Sequence, residues 1–227
     1  EMSRKTSPYA YALNNPVFFI DPDGMKAEDW RDKNGNKMSS DQLKDVKVYI
    51  FYNPDSDGFS DQTMKQYAQY EEQYGKGSVA ISDAMTEADF AQDWGDMEGS
   101  PDLVVANHHG SDQQLHLNID PDGNSETKDG HYIVSTNNGK TNVSNTPGTK
   151  VSDLPTPKAD LSNSTMLLNT CNSNNPSSNM KSGTTLAKEF SKSVGTVRGT
   201  NKSVNFNSSG NPTTQWYYGG TWQFFQN

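Results

Sequence analysis

Two stretches hold the residues with the most chemistry in them. DLVVANHHGSD, residues 102–112, closes an apolar run with paired imidazoles, His108 and His109, followed by Gly110. TMLLNTCNSN, residues 165–174, closes another apolar run with Cys171, the only cysteine in the chain. A free thiol has a pKa of about 8.5, so little of it is thiolate near neutral pH. An adjacent imidazole lowers that pKa or takes the proton, and later returns a proton to an amine leaving group. The Gly110 and Cys171 backbone amides are the candidate donors of an oxyanion hole. This chemistry requires no metal or organic cofactor. His109 is the candidate base, with His108 and Asn169 as candidate accessory residues. Alternation of side chains along a strand sends His108 across from His109. Taken singly, a cysteine after an apolar strand is more often a buried filler, and His-Gly more often a turn. The reading rests on both falling at strand ends of one unit.

The elements that must position them follow an alternating order. KDVKVYIFYNP, 44–54, reads as a strand ending at proline. SDQTMKQYAQYEEQYGKG reads as a helix with Met64, Tyr67, Ala68 and Tyr70 or Tyr74 on its buried side and Gly75 as its stop. SVAISDA is a short strand. TEADFAQDWGDM is an amphipathic helix, with Phe90 and Trp94 four apart and an acidic outer face. DLVVANHHG is the third strand. Strand, helix, strand, helix, strand predicts a mostly parallel α/β sheet, in which ligands sit at the carboxyl ends of the strands. Beyond it, QLHLNIDPDGNSETKDGHYIVSTNNG reads as two strands around a turn, and 141–164 as a long polar loop. TMLLNTC is a further buried strand, SGTTLAKEFSKSVG a helix, and the remainder strands with glycine turns. The 62 positions separating His109 from Cys171 leave room for a hairpin and a loop, so the two strands can be neighbours.

VVANHHGSD and MLLNTCNSN together resemble the caspase-like cysteine peptidases, the group of clostripain, gingipain and the bacterial CHAT enzymes. The resemblance spans roughly 44–200. It implies a caspase-like, mostly parallel sheet flanked by helices, to which this chain adds β-hairpins and an aromatic C-terminal strand region. It also implies His109 as base, Cys171 as nucleophile and Gly110 as oxyanion donor. The helix TTLAKEF, from near Thr184, matches the one after the nucleophile. GTVRGT resembles the next strand, whose far side shapes the substrate groove. Two departures stand out: His108 adds a second imidazole, and Asn172-Ser173 replaces the glycine-rich run that follows the cysteine in some members.

SPYAYALNNPVFFIDPDGM, residues 7–25, resembles the end of the Rhs/YD-repeat-associated core. In that family a variable toxin domain follows the core. The resemblance implies that 1–25 end the core, that 26–43 form a linker and that 44–227 are the toxin domain. By its own residues, KAEDWRDKNGNKMSSDQ reads as a linker or a hairpin turning at Asn34-Gly35. The expected protein is a bacterial effector, secreted or delivered into a target cell. It would act on protein substrates and be blocked by a cognate immunity protein.

Composition narrows the alternatives. With 227 residues, 31% of them hydrophobic, the chain suits one core with long polar loops. A net charge of −9 disfavours binding to phosphate backbones. One cysteine excludes an internal disulfide and a multi-cysteine zinc site. No run approaches the roughly 18–20 apolar residues of a membrane span, and no signal segment opens the sequence. The first rival reading is a metal-dependent nuclease built on NHHGSD, though His116 and His131 are scattered on predicted strands and no basic patch appears. The second is a non-catalytic binding module. In DPDGNSETKDG, Asp120, Asp122, Asn124 and Glu126 alternate like ligands of a structural Ca2+, but the twelve-position pattern is incomplete and an Asp-Gly turn explains the same residues. The tail QWYYGGTWQFF suits a glycan-binding surface or a terminal hairpin turning at Gly219-Gly220.

Overall fold

The structure is a computed structural model that describes residues 29–54, 58–111, 114–117, 131–135, 148–171, 173, 185–214 and 222–226. Strand β1, Val48–Tyr52, follows a short helix, α1 (Ser40–Leu43), and buries all five side chains. Tyr49 and Phe51 face one core, while Val48, Ile50 and Tyr52 face another. A strand apolar at every position must be covered on both faces, and the neighbouring helices do this. Helix α2 (Phe59–Tyr74) lays Tyr67 on the second core. Helices α3 (Glu87–Asp96) and α4 (Leu186–Phe190) lay Phe90, Trp94, Leu186 and Phe190 on the first.

The remaining strands are β2 (Val79–Ser82), β3 (Leu103–Asn107), β4 (His109–Ser111), β5 (Gln114–His116), β6 (Tyr132–Val134), β7 (Thr149–Lys150), β8 (Thr165–Leu168), β9 (Thr196–Thr200), β10 (Val204–Phe206), β11 (Pro212–Thr214) and β12 (Trp222–Gln226). The main sheet runs β12-β9-β8-β3-β1-β2. Every pair in it is parallel except β12 with β9. The expected mixed α/β architecture with a mostly parallel sheet is therefore present. A second sheet, β4-β5-β6-β7, branches off just after β3, and β10-β11 form a separate hairpin.

Helix α2 stops at Gly75, as the sequence suggests, but its buried side differs from the apolar pattern. Ala68 is exposed, whereas Thr63 and Gln66 are buried. In α3, Thr86 caps the N-terminus by accepting from the Asp89 N–H. The expected acidic outer face is only partly outer, because Asp89 and Asp93 are buried with Phe90 and Trp94. Asp93 accepts from the Ser82 hydroxyl, and its carbonyl accepts from the Trp30 indole. Burial pushes the Asp93 carboxyl up to about 7.

Residues 29–43 make a hairpin that belongs to the packed fold. Arg31 pairs with Lys37 across a turn with Gly35 at φ 78°, and it also pairs with Ile81 on the outer edge of β2. Trp30 is buried edge-on to Tyr49 and Phe51, with ring centroids 4.6 and 4.8 Å away. The segment 1–25, read as the end of a core, lies outside the described residues.

Candidate active site at the ends of β3 and β8

Strands β3 and β8 are direct neighbours, with Ala106 opposite Leu168. Each apolar run then ends in a buried asparagine. The Asn169 side-chain amide donates to Asn107 Oδ1 at 2.9 Å. The Asn107 amide in turn donates to Thr63 Oγ1 and Gln66 Oε1 on α2, at 3.0 and 2.8 Å. Arg198 of β9 donates to Asn169 Oδ1 at 3.3 Å and lies over the Trp222 ring of β12. Buried amides keep such positions only when their hydrogen bonds are made, and here the partners tie the strand ends to α2 and β9. The side-chain amide of Asn169, the candidate accessory residue, is thus engaged by Asn107 and Arg198.

Beyond Asn107 the paired imidazoles separate. His108 is fully buried, and its Nδ1 lies 3.2 Å from the His116 carbonyl. A carbonyl only accepts, so Nδ1 carries the proton. His108 Nε2 has no hydrogen-bond partner among the described residues. Burial, with the neighbouring His109 and His116 rings adding to it, takes the His108 pKa down to about 3. It is a neutral interior histidine. His109, the first residue of β4, is only partly buried and sits edge-on to Phe59 with ring centroids 5.0 Å apart. It pairs with His116 across β4 and β5. Burial, then the His109 charge, lowers the His116 pKa to about 4.

Gly110 brings the His109 segment against the cysteine segment. A Cβ at this position would overlap Thr170 Oγ1, and would lie 2.8 Å from the Gln114 carbonyl oxygen and 3.2 Å from that of Cys171. Thr170 Oγ1 is buried and has no hydrogen-bond partner among the described residues. Cys171 is partly buried, and its Sγ accepts the Val204 N–H at 3.3 Å. Ser173 anchors the chain beyond the thiol: its hydroxyl accepts from Thr200 N–H and its carbonyl from Ala187 N–H. The structure therefore brings His109, Gly110 and Cys171 to adjacent strand ends and turns His108 inward.

Several contributors carry no catalytic signal in the sequence. Phe59 and Phe206 stack edge-on near His109, while Thr63, Gln66 and Arg198 support the asparagines. One signal was available: VVAN and MLLN both end in asparagine.

Asp120, Asp122, Asn124 and Glu126, the candidate Ca2+ ligands, lie outside the described residues, as do Trp216, Tyr217, Tyr218, Gly219 and Gly220 of the tail. Among the described residues no group of three His, Cys, Asp or Glu side chains is arranged to hold a metal ion. Nor is any described helix long and apolar enough to cross a membrane. Of the tail aromatics, Trp222 stacks on Arg198, Phe225 packs on the main core and Phe224 is exposed. No protein-family model, curated protein or solved structure matches the chain.

Proposed function

We propose that the protein is a cysteine endopeptidase of caspase-like architecture, acting as the toxin tip of an Rhs-type effector. One observation carries the reading: His109-Gly110 and Cys171 leave neighbouring parallel strands, with Gly110 packed against Thr170-Cys171. His109 is the partly accessible imidazole, and His108 is neutral and enclosed. In this reading His109 takes the Cys171 proton and the thiolate attacks a peptide carbonyl. The C–N bond then breaks as His109 protonates the departing amine. Water, deprotonated by the same imidazole, hydrolyses the thioester and regenerates the thiol.

The pairing register supports Gly110 as an oxyanion donor. Ser111 and Gln114 close a two-residue connection. Hydrogen-bonded and non-hydrogen-bonded positions alternate along an antiparallel pair, so Gly110 opposite Leu115 falls at the non-hydrogen-bonded position. Its amide then points away from β5, as a donor to a developing oxyanion must. No cofactor takes part in these steps. The Rhs-like segment adds delivery into a target cell and a cognate immunity protein to the reading.

The test is proteolysis of a cell lysate by the purified chain, read as new protein N-termini by mass spectrometry. The wild type should generate fragments that a thiol alkylator abolishes and a chelator leaves unchanged. Identical fragments from Cys171→Ala would overturn the assignment. Chelator-sensitive loss of nucleic acid would put the nuclease reading in its place.

A further inference from the structure

The β10–β11 hairpin touches the candidate thiol at its base and is held at its tip by α2. At its base, Val204 donates its backbone N–H to Cys171 Sγ at 3.3 Å. On its flank, Phe206 packs edge-on to Phe59, which packs edge-on to His109, with centroids 5.6 and 5.0 Å apart. At its tip, α2 grips the turn: Gln66 donates to the Gly210 carbonyl at 2.9 Å and Gln69 to the Ser209 carbonyl at 2.5 Å. Gly210 has φ +83°, and a Cβ there would lie 2.9 Å from Lys65 Cβ. The turn is therefore shaped for close contact with the helix. Among the described residues three of each strand pair with one another, and an isolated two-stranded hairpin is marginally stable in water. Its position depends on these contacts.

We propose that this hairpin is a self-blocking flap, which covers Cys171 at rest and must release the Val204–Sγ and α2–tip contacts before a polypeptide reaches the thiol. Its consequence for activity rests on the reading of Cys171 as nucleophile, whereas its measurement does not. The buried Thr170 hydroxyl, without a partner beside Gly110 and Cys171, is a donor that a group entering the opened site would meet.

The experiment is alkylation of the intact chain, in which Cys171 is the only thiol. Labelling by iodoacetamide and by the bulkier N-ethylmaleimide is followed by intact mass, in native buffer and in guanidinium. The native thiol should react at least about tenfold more slowly than the unfolded one, as expected for a group exposed only by local opening. The larger reagent should be slowed more. Val204→Pro removes the N–H on Sγ, and Gln69→Ala frees the tip from the exposed side of α2. Each should raise the native rate about fivefold, the order expected for losing one hydrogen bond. Should Val204→Pro fail to fold, Gln69→Ala and Phe206→Ala carry the test. A native thiol labelled at the unfolded rate, or labelling unchanged by every folded variant, overturns the flap. Faster labelling in the variants with no cleavage by any chain keeps the flap and removes the peptidase reading. Cleavage by a wild type labelled at the unfolded rate does the reverse.

Discussion

Asn169 donates its side-chain amide to Asn107 Oδ1 at 2.9 Å, joining the ends of β8 and β3 directly below the segments that carry Cys171 and His109. Both side chains are buried, and the bond is one link in a series running from Arg198 through Asn169 and Asn107 to Thr63 and Gln66.

Asn107→Ala should therefore destabilise the fold well beyond the loss of one contact. It leaves Asn169, Thr63 and Gln66 each short of a partner in the interior, and an orphaned buried group costs about 1–3 kcal/mol. A loss of about 3 kcal/mol is expected by urea denaturation. A variant within 0.5 kcal/mol of wild type, roughly the range of an ordinary surface change, would show that the series is not load-carrying.

Gly110→Ala should cost about 1–3 kcal/mol, the range for overpacking, because its Cβ overlaps Thr170 Oγ1. Combining it with Thr170→Ala should recover part of the loss. Recovery should be incomplete, since the Gln114 carbonyl remains 2.8 Å away and is backbone. Thermal or urea midpoints of the two single variants and the double variant check this; additive losses would exclude the clash as the cause.

The two adjacent histidines should separate by phenotype. His109→Ala should keep the fold and lose most cleavage, since general acid–base assistance contributes typically about 10²–10⁴-fold. His108→Ala should instead lower stability, because it empties a fully buried site. Urea midpoints and cleavage rates on the same preparations decide; a stable but inactive His108→Ala would reverse the roles.

Stability against pH should show two opposing contributions. His108 and His116 have folded pKa values of about 3 and about 4, below the ordinary 6.5, chiefly through burial. From pH 6.5 down to about 4 the unfolded chain gains protons that the folded chain refuses, so these groups lose stability as pH falls. Asp93 has a folded pKa of about 7, above the ordinary 3.8, because it is buried. From pH 7 down to about 4 the folded chain takes up a proton that the unfolded chain does not, so Asp93 gains stability as pH falls. Asp93→Asn should remove that offset and make the decline from pH 7.5 to pH 5 steeper. Urea midpoints at the two values test it, and an unchanged or shallower decline would contradict the assignment.

The 29–43 hairpin should be indispensable. Trp30→Ala should cost about 4 kcal/mol, typical of a large aromatic lost from a core, since Trp30 packs on Tyr49 and Phe51. A chain beginning at Lys44 should unfold at a much lower denaturant concentration than one beginning at Lys26. Equal midpoints would return 26–43 to the role of a linker.

By itself the sequence determined the element order and the sheet type. Short, dense apolar runs rich in β-branched and aromatic residues, such as VYIFY and LVVAN, read as buried strands, and the helices between them favour parallel crossovers. Gly75 marked a helix end because capping is local chemistry. Sequence also offered His109, Gly110 and Cys171 as candidates, from their residue types and expected strand-end positions. Tertiary structure decided what depends on partners distant along the chain. Gln66 and Thr63 look like solvent-facing helix residues until Asn107 supplies their hydrogen bonds. Asp93 looks like part of an acidic outer face until Ser82 and Trp30 enclose it. His108 and His109 are the same residue type, and only the branching of β4 away from β3 makes one an interior group and leaves the other partly accessible. Strands with glycine turns were legible near the C-terminus, but the contact of one hairpin with Cys171 was not, because a backbone N–H reaching a sulfur 33 residues away is set by the fold and not by any side chain.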